Sequence, residues 1–150
     1  MRRLIILMTL FAVFTLPLQA SDGMVIVQSN HTVAETMDRF EKAVRGAGMG
    51  VFARIDHAKG AAKVDMQLAP TELIIFGSPK LGTQLMLSNQ RIGLDLPLKA
   101  LVWQDEKGMV WLGYTSPDYL LGRFGITDRA KAQQKMTGAL GKFAAAATAP

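Results

Sequence analysis

The residues with the most chemical potential lie in the stretch IDHAKG, where Asp56 sets a carboxylate beside the imidazole of His57. A histidine carries protons near neutral pH, and a carboxylate can orient it for that work. Neighbouring residues on a strand point to opposite faces, so the two cooperate only if the chain turns between them. The competing reading makes Asp56 the N-cap of a short helix, with His57 in its exposed first turn. Asp95 is a second carboxylate that could serve His57, and Lys99 completes the set. One concave pocket holding His57, Asp56, Asp95 and Lys99 would favour acid–base catalysis; scattered positions would count against it.

A second group suits binding rather than catalysis. Gly77-Ser78-Pro79-Lys80 opens a helix whose amides could hold a small anion. It lacks the spacing of a phosphate loop, and no glycine-x-serine-x-glycine elbow surrounds Ser78. Capping the helix is the simpler role for this serine. Trp103, Trp111, Tyr114 and Tyr119 gather aromatic surface near the end of the chain, for a pocket, a partner surface or the sheet core. Ser78, Lys80, Lys99, Trp103 and Tyr114 are therefore the ligand-binding candidates. His31 belongs to a Ser-Asn-His-Thr turn. Two distant histidines without a cysteine make no metal signature, and neither a metal nor another cofactor is expected.

The chain opens MRRLIILMTLFAVFTLPLQA: two arginines, an apolar run too short to span a bilayer, and a small residue at the end. This is the layout of a secretory signal over residues 1–20, cut near Ala20, with an uncleaved membrane anchor as the competing reading. The signal predicts a periplasmic or secreted protein that leaves the membrane after cleavage. The 17 basic and 12 acidic residues give a net charge of +5, and +3 once Arg2 and Arg3 are removed. Spread along the chain, that charge is a solvated surface and excludes a nucleic-acid footprint. Without cysteines there are no disulfides and no thiolate chemistry. Residues 21–150 are enough for one domain with one core, spanning about 24–143.

These residues need elements to hold them. Met24 to Val27 suits a strand. Thr32-Val33-Ala34-Glu35 fits a capping box, and Val33, Met37, Phe40 and Val44 form one helical stripe. A second strand, from Met49 to Ile55, leads to the Asp56 cap of a helix through Ala61, Val64 and Leu68, stopped by Pro70. Leu73 to Phe76, apolar on both faces, suits a covered central strand. Ser78-Pro79 and Ser116-Pro117 start helices, proline filling the first position. Ile92 to Leu96 alternates and reads as extended. Ala100 to Gln104 and Met109 to Tyr114 flank Asp105-Glu106-Lys107-Gly108 as a hairpin. A last helix begins near Asp128 with Ala132, Met136, Leu140 and Phe143 inward, and the AAAATAP tail is expected to fray. Strands interleaved with helices, with a hairpin that requires antiparallel pairing, describe an α+β sandwich.

GMGVFARIDH, TELIIFGSPKLGTQLM and IGLDLPLKALVWQDEKGMVWLGYTSPDYL together resemble the domain of unknown function 302 family, in its exported bacterial branch. The resemblance covers roughly Met24 to Phe143. It implies a curved, mainly antiparallel sheet with helices packed on one face, similar to the TATA-box-binding-protein-like architecture, and homodimers. It implies no activity. Some members carry cysteines where this chain has Ser78 and Leu98, so thiol chemistry does not transfer.

The expected function is an exported, small, non-catalytic binding or interaction module, with a small molecule or another protein as partner. The alternative is a cofactor-free periplasmic hydrolase or isomerase that uses His57 with Asp56 or Asp95.

Overall fold

The computed structural model describes residues 22–150, so the expected signal segment and its expected cut lie outside the described residues. Five strands, β1 (Met24–Ser29), β2 (Gly50–Asp56), β3 (Thr71–Gly77), β4 (Leu98–Gln104) and β5 (Val110–Thr115), form one open antiparallel sheet in the order β1-β5-β4-β3-β2. The helices are α1 (Val33–Gly46), α2 (His57–Ala62), α3 (Pro79–Ser88), α4 (Pro117–Arg123) and α5 (Ala130–Thr148). The fold is α+β, as the sequence predicts.

Alternation sorts each strand into two faces. Ile74, Phe76, Ala100, Val102, Leu112 and Tyr114 point towards the helices and are buried. The stripe Val33, Met37, Phe40 and Val44 on α1 meets them, and Phe40 lies edge-on to both Phe76 and Phe143. Thr32 and Glu35 form the expected capping box at the start of α1. Both Phe40 and Phe76 are fully buried.

Among the described residues, no helical stripe packs on the opposite face. Ile55, Leu73, Ile75, Leu101, Trp103, Trp111, Met24 and Ile26 share that face, half-buried or exposed. Trp103 stands opposite Trp111, and its ring crosses Gly113, where an added β-carbon would come within 3.0 Å of it. The Trp111 Nε1–H donates to Asp105 Oδ2 at 2.8 Å, which pins the pair to the hairpin turn.

Several expectations need correction. Residues 92–96 are not extended: Gln90–Leu94 form a 3₁₀ turn, because Asn89 accepts the Arg91 N–H and caps it. The α2 helix stops at Ala62, short of the expected Val64 and Leu68, which are exposed, and Asp65 takes a left-handed φ of 56°. Ser78 stands at the N-cap of α3 but makes no capping hydrogen bond. The tail does not fray at once: α5 continues to Thr148, with Ala144, Ala147 and Thr148 buried. Its end docks on the start of α1, where Asn30 Nδ2 donates to Thr148 O at 2.9 Å, His31 Nε2 to Ala149 O at 2.7 Å, and Arg39 to Ala146 O and Ala149 O. His31 thus ties the turn to the tail.

Candidate functional site

The two ends of the sheet divide the candidate residues. Asp56 ends β2 beside Glu72, at the end where Trp103 and Trp111 lie. Its carboxylate accepts the Lys59 N–H at 2.8 Å and pairs with Lys59 Nζ at 3.1 Å. The Lys59 amide and ammonium hold its pKa below the usual carboxylate range. Asp56 is thus an N-cap, and His57 is an exposed first-turn residue of α2.

Ser78, Lys80, Asp95, Lys99 and Tyr114 all lie at the other end of the sheet, where β3 and β5 finish and β4 begins. His57 and Asp95 are therefore separated by the length of the strands, and the set of His57, Asp56, Asp95 and Lys99 does not converge. Among the described residues, no three histidine or acidic side chains converge as they would around a metal ion.

Three chambers at that end share Leu98, one of them an apolar cleft between Met49, Ser78 and α5, and the other two bear on the candidates. The first, about 240 Å³, is apolar: Phe52, Leu81, Met86, Leu96, Pro97 and Met136 form much of its wall, with Ser78 at its edge. Lys80 is exposed on α3 and does not line either chamber.

The second chamber, about 450 Å³, brings Asp95, Lys99 and Tyr114 together and adds Tyr119 and Arg123. The 3₁₀ turn delivers Asp95, the first residues of β4 deliver Lys99, and the antiparallel register of Ala100 with Tyr114 places the phenol nearby. Ser116 caps α4 by accepting the Tyr119 N–H, which aims Tyr119 and Arg123 at the same opening. Arg123 Nη1 donates to Asp95 Oδ2 at 2.8 Å. Lys99 Nζ donates to the carbonyl oxygens of Asp95 and Pro97 at 3.3 and 3.2 Å. Leu94, Leu98, Leu120 and Leu140 form the apolar walls. Tyr114 is only 7% exposed, and burial pushes its pKa up, which keeps the phenol a neutral donor at physiological pH. The place of Arg123 in the last turn of α4 gives no periodic signal, and only the chain path brings it against Asp95.

Comparison with known proteins bears on the whole unit. The family described as "Domain of unknown function DUF302" matches residues 25–143. Proteins named "Fluoride-specific ion channel FluC 1", from Brucella suis biovar 1 (strain 1330) and Brucella abortus biovar 1 (strain 9-941), are each 46% identical over 127 residues. The match takes in 82% of this chain, and 50% and 47% of those proteins, so the chain spans about half the length of the curated relatives it matches. The crystal structure of an uncharacterized conserved DUF302 protein from Bacillus stearothermophilus superposes with a TM-score of 0.74 at 19% identity, covering 85% of this chain and 99% of that one. At that identity the likeness concerns the fold. Among the described residues, no helix is long and apolar enough to cross a membrane.

Proposed function

Since the chain belongs to the DUF302 family, whose name assigns no activity, we propose a function from its own surfaces: an exported, non-catalytic interaction module that works as a homodimer. The observation that carries this reading is the apolar face of the sheet opposite the helices. Five strands spaced ~4.8 Å apart, each about six residues long at ~3.3 Å per residue, make a surface of roughly 500 Å². That is at the upper end of the ~300–600 Å² patches found on monomers, which are often functional. The occupant we assign to it is a second copy of the chain. The three inner strands of the face, β3, β4 and β5, bring it one charged side chain, Lys99 near the start of β4, so two copies can meet with little charge to bury.

The separation of His57 from Asp95 and the capping role of Asp56 support a non-catalytic reading over the hydrolase or isomerase alternative. The apolar run after Arg2 and Arg3 supports export, and intact-mass measurement of a periplasmic fraction should find a species beginning at or near Ser21. The relatives named as ion channels carry the matched unit within chains about twice as long. This supports a unit that accompanies other machinery in those proteins, and docking to such a partner is the competing use of the sheet face.

Light scattering on the purified protein tests the dimer. At tens of micromolar the protein should elute at twice its mass, and Ile26→Lys or Ile55→Lys, both at exposed positions, should yield folded monomers. A wild-type protein that stays monomeric across that range overturns the reading.

A further inference from the structure

At the end of the sheet, beside the dimer face and sharing Lys99 with its rim, we infer that the chamber between the 3₁₀ turn, the start of β4 and α4 is a binding site for a small monocarboxylate with an apolar body. Tyr114 is the first ground for this. As a residue it is 7% exposed, it lines the chamber, and its hydroxyl, which has no hydrogen-bond partner among the described residues, is not a buried orphan but opens to solvent in the chamber. A phenol that faces the chamber with no protein partner is free to donate to a ligand oxygen in place of solvent.

Charge is the second ground. Lys99 and Arg123 line the chamber against one carboxylate, Asp95, so the wall carries one surplus positive charge. Arg123 uses Nη1 on Asp95 and keeps further N–H groups for another acceptor, while Lys99 Nζ is held only by carbonyl oxygens. A single carboxylate balances the surplus and suits the planar guanidinium fork. A phosphate dianion would exceed it and would lie close to Asp95. The walls supply the rest: Leu94, Leu98, Leu120 and Leu140 can enclose an aliphatic or aromatic body, and about 450 Å³ lies within the ~300–1,000 Å³ of small-molecule sites.

The probe is octanoate, titrated into the purified protein by calorimetry and by amide chemical shifts, with octanamide, octylamine and inorganic phosphate alongside. Octanoate should bind and shift the amides of Lys99, Tyr114 and Arg123, while the other three bind at least tenfold more weakly. Tyr114→Phe should fold as the wild type does, because the hydroxyl has no protein partner, and should weaken octanoate about tenfold or more, as loss of a hydrogen bond to a charged group does. Arg123→Gln should weaken it comparably, while the dimer variant Ile26→Lys should leave affinity unchanged. The inference is overturned if octanoate shifts nothing at millimolar concentration or if octanamide binds equally well. Wild-type affinity in both Tyr114→Phe and Arg123→Gln would overturn it too, and binding by phosphate alone would replace it with a different anion.

Discussion

The ring of Tyr119 packs directly over the α-carbon of Gly23, leaving no room for a β-carbon there. Gly23 also takes a left-handed φ of 76°, and its carbonyl accepts the N–H of Ser116, which caps α4. One glycine thus sets the entry to β1 and the position of a ring that lines the polar chamber. Gly23→Ala should destabilise the protein by about 1–3 kcal/mol, combining an unfavourable φ with displacement of the ring. Urea denaturation measures this, and an unchanged midpoint would show that the ring moves aside freely.

Asp56 and His57 should separate in thermal melts. Asp56→Ala should lower the melting temperature by a few degrees, because the Lys59 amide loses its acceptor. Asp56→Asn should recover most of that, and His57→Ala should change little. Equal melting points for all three would remove the capping role.

Arg54 bridges Asp38 and Glu41 of α1 to Glu72 of β3, holding Glu72 through two nitrogens. These partners push the pKa of the guanidinium up, and Glu41 lies low, first through Arg45 and then through Arg54. Lysine cannot reproduce the fork, so Arg54→Lys should cost about 1–2 kcal/mol after allowance for partial exposure. The loss should shrink in 1 M salt. A salt-independent loss would instead point to packing by the aliphatic stem.

Asp105 gives the pH dependence a location. The Trp111 indole N–H, then the amides of Met109 and Lys107, hold its pKa below the usual value. A carboxyl depressed in the folded state contributes stability above its unfolded pKa, about 3.9, and loses it as pH falls through the folded value. Stability of the wild-type protein should therefore drop below about pH 4. Trp111→Phe should flatten that part of the pH–stability curve, and an unaltered slope would place the titration elsewhere.

Ending the chain after Phe143 should cost at least about 2 kcal/mol, through the buried Ala144, Ala147 and Thr148 and the bonds to Asn30 and His31. Denaturant unfolding of the truncated chain measures it. Full stability would mean that the tail is bound too loosely to matter.

Local patterns were the legible part of the fold. The Thr32–Glu35 box, the Phe40 stripe and the Asp56 cap each depend on residues three or four apart, so the sequence carries them directly. Misreadings arose where tertiary packing overrode the local pattern. Ile92, Leu94 and Leu96 alternate like a strand, yet Asn89 caps a 3₁₀ turn there. The alanine tail looked featureless, but its small side chains let α5 pack closely and continue. The site was half legible for the same reason. Asp95, Lys99 and Tyr114 stood out by type, whereas their meeting depends on the β4–β5 register and on a turn that alternation concealed.

The placement of β1 beside β5 also governs when this protein can fold. Residues 24–29 find their sheet partner only in residues 110–115, and Phe40 of α1 waits for Phe143 of α5. Closing so long a loop is slow, because its entropy must be lost before the contacts that reward it can form. A nascent chain with its last thirty residues still inside the ribosome has all five strands but lacks α5, and with it the Phe143 that packs on Phe40. Its core therefore stays open on the helical side until the final helix has followed, and the last residues made are the ones that seal it.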